Sequence, residues 1–275
     1  MKLCFHNLPG PFSEGTRRLL ALKNCQLDDA GMPVFLETGD VLQVQIADGK
    51  ATVIYPQGGF FRALGLLLEH FREENYSITE EPRLEKLGLQ IDFSRNCAMR
   101  LDGAKKLMDM LALMGYNQMY LYMEDMYCLP GREYFGYMRG RYSPQELKEL
   151  DDYADQYGIE LIPSIQTLGH MEQYLRWDEA AEVRDTAREL LADSQTTLKF
   201  VEEMIKAATA PFRTKKVVLG LDETHNLGLG KYLDLNGYAK KEEIFYRHLT
   251  EVFKITDRLG LEGMICSDMF FRMLT

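Results

Sequence analysis

The chain lacks any apolar run near the roughly 18 residues that a membrane-spanning helix needs, and its 275 residues are ordinary in apolar content at 46%. No membrane partner is expected. Met1–Pro9 has no uninterrupted apolar stretch of the secretory type, so a cytoplasmic setting is expected. Cysteine is sparse. Cys4, Cys25, Cys97, Cys128 and Cys266 are scattered, with no Cys-x-x-Cys spacing. That pattern fits reduced thiols better than a disulfide frame or a zinc cluster. Positive charge is in deficit, with 32 Lys+Arg against 42 Asp+Glu and a net charge of −10. Such a balance argues against nucleic acid as a partner. Dinucleotide, P-loop, zinc-protease and nucleophile-elbow motifs are all missing, so neither a cofactor nor a resident metal is called for.

What is present is an α/β rhythm that changes near residue 82. In the first part, residues 13–28 and 60–74 have helical apolar spacing. Residues 41–46 and 51–55 flank Ala47-Asp48-Gly49-Lys50, which reads as a hairpin, and 76–80 is a further strand. This order predicts two helices on a mainly antiparallel sheet. A small α+β domain over residues 1–84 would precede a second domain over 85–275.

In that second part, strands alternate with helices. The strands are 87–93, 116–123, 159–165, 217–221 and 263–266; the helices are 101–115, 143–158, 195–210 and 238–259. Ser143-Pro144-Gln145-Glu146 is a helix start, with Ser as cap and Glu three residues on. Alternation of this kind implies a parallel sheet of right-handed βαβ units.

Function in parallel βα architectures collects where strands end. Here the five ends deliver Ser94-Arg95-Asn96, Glu124-Asp125, Gln166 to His170, Asp222 to His225, and Ser267-Asp268. Any one carboxylate there could serve as a helix cap. Five polar ends converging on one cleft point to a site. Asp222-Glu223 is the sharpest pair. On an extended segment the two would face opposite sides, one donating a proton while the other holds substrate. Arg139 and Arg141 read as solvated loop residues. Trp177, the one tryptophan, reads as core or lid before sugar platform.

From about residue 82 onward, the strand ends resemble glycoside hydrolase family 20, the β-N-acetylhexosaminidases. The matching stretches are Ile91-Asp92-Phe93-Ser94-Arg95, Glu124-Asp125, Gly140-Arg141-Tyr142-Ser143, Pro163 to His170, and Gly220-Leu221-Asp222-Glu223. The first part resembles the small domain preceding that family's barrel, with Phe60 to Gly65 as its second helix. The resemblance implies a (β/α)8 TIM-type barrel, present here through about five strands, as in a fragment of a longer protein. Self-association through the incomplete barrel would follow. It also implies hydrolysis of terminal β-linked N-acetylhexosamine from a glycan, with the substrate's own acetamido oxygen as nucleophile. Glu223 would then be the acid/base and Asp222 would orient the acetamido group. Arg95, Glu124, Asp125, His170 and Asp268 would line or support the sugar pocket. One departure stands out: the arginine that usually begins the first barrel strand is replaced by Leu87-Gly88. Two other readings stay open, a carboxylate site for a hard cation such as Mg²⁺ and a non-catalytic carbohydrate-binding fragment.

Overall fold

A computed structural model describes residues 1–95 and 98–272. Asn96 and Cys97, named in the sequence reading, and the terminal Met273 to Thr275 lie outside the described residues. The chain divides into two compact units. The first comprises 1–89, 100–119 and 152–160; the second comprises 90–99, 120–151 and 161–275.

The first unit begins with β1 (Lys2–His6), α1 (Ser13–Leu22), β2 (Gln26–Leu27), β3 (Met32–Thr38), β4 (Leu42–Ala47) and β5 (Lys50–Tyr55), and continues through α2 (Phe60–His70) and β6 (Tyr76–Glu80). Its sheet has the order β2-β1-β3-β5-β4-β6. The expected hairpin is β4–β5, antiparallel with Ala47 opposite Lys50, and β6 pairs antiparallel with β4. The sheet is nevertheless mixed rather than mainly antiparallel, because β1–β2, β1–β3 and β3–β5 are parallel. Strands β1 and β3 escaped the sequence reading for a physical reason. Pro33 and Glu37 interrupt the apolar pattern of β3, whose buried positions are only Val34 and Leu36.

Helix α2 buries Phe60, Phe61, Ala63, Leu64, Leu66, Leu67 and Leu68. Helical amphipathicity with so wide an apolar face marks a helix covered on more than one side. It packs on β4 and β5 and also on α3 (Leu101–Leu113). The last contact is close: a Cβ on Gly65 would sit 2.4 Å from the Leu113 carbonyl oxygen. Nearby, Asp109 of α3 accepts hydrogen bonds from the Tyr153 and Tyr157 hydroxyls at 2.7 and 2.5 Å.

The remaining strands are β7 (Gly88–Asp92), β8 (Gln118–Glu124), β9 (Glu160–Ile165), β10 (Lys216–Val218) and β11 (Glu262–Met264), laid in that order as one five-stranded sheet. Between them run α4 (Pro144–Asp155), α5 (Glu172–Leu175), α6 (Gln195–Thr209), α7 (Lys231–Asn236) and α8 (Lys241–Arg258), and α9 (Asp268–Arg272) follows β11. The capping box expected at α4 is formed: Ser143 N donates to Glu146 Oε2 at 2.8 Å, and Glu146 N donates to Ser143 Oγ at 3.2 Å. Core side chains of the second unit include Met123, Leu161, Ile162, Ile165, Phe200, Met204, Val217, Leu219, Phe245 and Val252, all buried. The fourth strand is shorter than the apolar run 217–221 suggested. Gly220 and Leu221 both have a φ of +69°, which turns the chain out of the sheet just before Asp222.

Gly65→Ala removes a helix-weakening glycine yet drives a methyl into the Leu113 carbonyl. Overpacking is expected to win, lowering stability by about 1–3 kcal/mol in urea unfolding.

Candidate active site

The loops that leave β7, β8, β9 and β10 within the second unit bring the sequence-predicted residues together. Asp92, at the end of β7, folds the next residues into a tight turn. Its Oδ1 accepts from Ser94 N at 2.9 Å, Ser94 Oγ at 2.8 Å and Arg95 N at 3.0 Å. This is the Asx-type competition of a short polar side chain with regular pairing. It aims Arg95 across the sheet end.

From Arg95 a closed ring of polar contacts can be traced. Arg95 Nε lies 3.2 Å from Glu124 Oε1. Glu124 Oε1 accepts from the Tyr122 hydroxyl at 3.2 Å. Gln166 Nε2 donates both to that hydroxyl at 3.0 Å and to Asp222 Oδ1 at 2.9 Å. Asp222 Oδ2 lies 3.1 Å from His170 Nε2, and His170 Nδ1 lies 3.5 Å from the Arg95 guanidinium. Glu223 Oε2 reaches the same His170 Nε2 at 3.5 Å. Asp268 supports the pair from α9, its Oδ2 accepting from Glu223 N at 3.3 Å. Asp222 and Glu223 therefore do not point to opposite sides as an extended segment would require. With φ of +69° at Leu221 and +50° at Glu223, the backbone is turned and both carboxylates approach one imidazole.

The electrostatics separate the members of the site. Burial would raise the Asp222 carboxyl, but interaction with His170 and Gln166 prevails and brings its pKa down to about 2. The same contact raises the His170 imidazole, against the opposing effects of burial and of Arg95. Asp125 goes the other way. Burial pushes its pKa up to about 6, Arg139 pulls it down, and the charge of Glu124 adds to the rise. Burial likewise keeps the Tyr122 hydroxyl protonated, so it remains a donor to Glu124. The Glu223 side chain is 42% exposed and Asp222 20%. Of the two, Glu223 is the carboxyl open to an incoming group.

Beside this ring is a cavity of about 560 Å³ lined by Ser94, Arg95, Ala98, Glu124, Arg139, Glu172 and Gln173. Arg139 corrects the sequence reading, which left it in a solvated loop. It pairs with Asp125 Oδ1, donates to the Ser94 carbonyl, and lies 3.6 Å from Glu124 Oε2. Its loop was unreadable because Arg139 gains its role only when β7 and β8 adjoin. Trp177 packs against Tyr134 and Tyr137, with ring centroids 4.8 and 5.5 Å apart.

The hard-cation reading needed carboxylates converging without counter-charge. Glu124 and Asp125 instead face Arg95 and Arg139. Among the described residues no three His, Cys, Asp or Glu side chains are grouped to hold a metal ion.

The Asp222–His170 contact sets a measurable titration. Histidine ring resonances should show His170 titrating above its ordinary value of about 6.5, and Asp222→Asn should lower it. Because the folded value is raised, the stabilisation from protonated His170 is fully present below the unfolded pKa. It is lost as pH rises through the folded value.

Comparison with known proteins covers part of the site, the family match including His170, Asp222 and Glu223. The family described as "Glycosyl hydrolase family 20, catalytic domain" matches residues 133–254. Hexosaminidase D of Bos taurus is 31% identical over 122 residues, covering 43% of this chain and 35% of the bovine protein. A beta-hexosaminidase of Akkermansia muciniphila is 34% identical over 111 residues, covering 34% of this chain and 22% of its own length. Among solved structures, the exo-β-N-acetylglucosaminidase of Vibrio harveyi in complex with N-acetylglucosamine matches with a TM-score of 0.79 at 14% identity. It covers 96% of this chain and 50% of that one. The β-N-acetylhexosaminidase of Bacteroides fragilis matches at 0.78 and 16% identity, covering 98% of this chain and 63% of that one. These two matches speak to the fold. The chain thus spans less than two thirds of the relatives it matches. Residues 133–254 thus resemble the catalytic domain of glycoside hydrolase family 20, and the fold of the chain resembles that of the two solved hexosaminidases.

Proposed function

We propose that this chain carries the catalytic pair of a retaining exo-β-N-acetylhexosaminidase, acting on terminal β-linked N-acetylglucosamine or N-acetylgalactosamine of a glycan. The five-stranded parallel sheet is then part of a (β/α)8-type barrel over residues 85–275, preceded by a small α/β domain over 1–84. Self-association through the β7 or β11 edge and a cytoplasmic setting belong to the same reading.

The observation that carries it is the unequal pair at one histidine. Asp222 is held ionised down to a pKa of about 2, so above that pH it acts only as an acceptor. It suits an amide N–H whose acidity grows as its carbonyl oxygen attacks the anomeric carbon. Glu223 is the more exposed carboxyl and suits proton donation to the departing glycosidic oxygen, then proton removal from water. No protein nucleophile is needed, because the acetamido oxygen is already tethered beside the anomeric carbon. His170 orients both carboxylates. Arg95 and Glu124 stand in the cavity wall, placed to hydrogen-bond sugar hydroxyls. Asp125 and Asp268 hold Arg139 and the Glu223 backbone in turn. Arg139 offers a second guanidinium in a chain without the family's usual first-strand arginine.

Hydrolysis of a chromogenic β-N-acetylglucosaminide tests the reading. Glu223→Gln should lower kcat by about 10²–10⁴ while the fold is retained, and full activity in that variant would overturn the assignment. Asp222→Asn should reduce kcat more than it raises KM, because its contact strengthens as charge develops. A chelator should leave turnover unchanged; loss of activity restored by Mg²⁺ would favour the cation site instead.

A further inference from the structure

Two buried carboxylates outside the ring, Asp185 and Glu189, sit on one short hairpin. Val183 to Leu191 folds back on itself: Leu191 N donates to the Val183 carbonyl at 2.8 Å and Asp185 N to the Glu189 carbonyl at 3.0 Å. Thr186 closes the turn. Its Oγ1 accepts from Arg188 N and Glu189 N at 3.1 Å each and donates to the Glu189 carboxylate.

One side of this hairpin is stitched to the loop of His170. Leu190 N donates to the Leu168 carbonyl at 2.9 Å, and Met171 N donates to the Arg188 carbonyl at 3.1 Å. The other side is stitched to the segment that follows Glu223. Glu189 Oε1 accepts from Asn226 N at 3.1 Å. Asp185 accepts with both oxygens, from Gly228 N on Oδ2 and from Tyr232 N on Oδ1, each at 2.8 Å. Lys231 N donates to the Asp185 carbonyl at 3.0 Å. The backbones touch so closely at Gly230 that a Cβ there would meet the Asp185 carbonyl oxygen at 2.2 Å.

Asp185 is 6% exposed and Glu189 1%. Burying two neighbouring carboxylates is costly unless their oxygens are satisfied. Here backbone N–H groups of 226–232, with the Thr186 hydroxyl, satisfy them. The choice of carboxylate has a geometric reason: both oxygens accept and neither donates, so one side chain can gather two N–H groups from one loop. The loops so gathered are strained. His170, Leu221 and Glu223 have φ of +51°, +69° and +50°. Such backbone persists only where its surroundings over-determine it.

We propose that the Val183 to Leu191 hairpin is a positioning strap. Asp185 and Glu189 hold the segment after Glu223 in register with the loop of His170, and so keep both residues at working distance. Neither carboxylate touches the reacting atoms. The inference rests on reading Glu223 as the acid, and its test has one arm that needs no turnover.

Asp185→Asn presents an amide group where Asp185 offered a second acceptor, leaving one backbone N–H facing another donor. Asp109→Asn, which weakens the buried Asp109–tyrosine cluster of the other unit, is the matched control for simple destabilisation. Native-state amide exchange should accelerate about tenfold or more at 222–232 and also at 168–171 in Asp185→Asn, with α6 unchanged. Well below the melting temperature, kcat should fall by about ten- to a hundredfold with KM altered less than about threefold. Glu189→Gln keeps one acceptor for Asn226 N and should show a smaller loss of the same kind. Asp109→Asn should lower the melting temperature and leave kcat intact. Faster exchange confined to Gly228 and Tyr232, with 168–171 and 222–225 unchanged, would overturn the strap. So would an unchanged kcat in an active enzyme. An inactive wild-type chain would sink the functional reading alone, and the exchange arm would still decide whether the hairpin couples the two loops.

Discussion

The contact between Asp222 and His170 is the closure on which the site depends. It joins the loop after β9 to the loop after β10, and without it the ring through Arg95, Glu124, Tyr122 and Gln166 is an open chain of polar groups. A polar network in a low-dielectric setting is worth most when every member is satisfied. Here one imidazole meets two carboxylates on one nitrogen and approaches a guanidinium with the other. That arrangement assigns charge: Asp222 is fixed as an anion, and Glu223 shares the histidine from a more exposed position.

Around this closure the fold places its least comfortable backbone. Glu124, the last residue of β8, and His170 and Glu223, in the loops after β9 and β10, all have positive φ. The strands themselves are short at this end, β10 having only three residues. Regular pairing stops early, and side chains such as Asp92, Asp268, Asp185 and Thr167 take up the orphaned N–H and C=O groups. The strain of the site is thus offset by hydrogen bonds to the main chain, in the manner expected where local rules yield to function.

Much of this was legible before the structure. Strand ends carrying Arg95, Glu124, Asp125, His170, Asp222, Glu223 and Asp268 follow from alternation of apolar runs with helices. The start of α4 follows from the Ser143 and Glu146 spacing. What stayed hidden depends on contacts between segments distant in sequence. Arg139 looks like any loop arginine until β7 and β8 lie side by side. Asp185 looks like a solvated carboxylate until the 226–232 segment folds over it. Strand β3 carries a proline and a glutamate that local patterning counts against it, yet pairing with β1 and β5 on its two sides holds it in the sheet. The left-handed turn at Leu221 has no local signal, since nothing about leucine favours it.

The positive φ values at Glu124, His170 and Glu223 carry a consequence for how such a site can vary. Left-handed backbone tolerates glycine, asparagine and aspartate and penalises β-branched side chains. At these three positions the chemistry and the backbone therefore impose separate filters on sequence drift. A lineage that lost catalysis would be released from the first filter and still be held by the second. Its substitutions there would run toward Asn, Asp and Gly and away from Val, Ile and Thr. Loss of function at this site would leave a recognisable residue spectrum, written by torsion angles rather than by substrate.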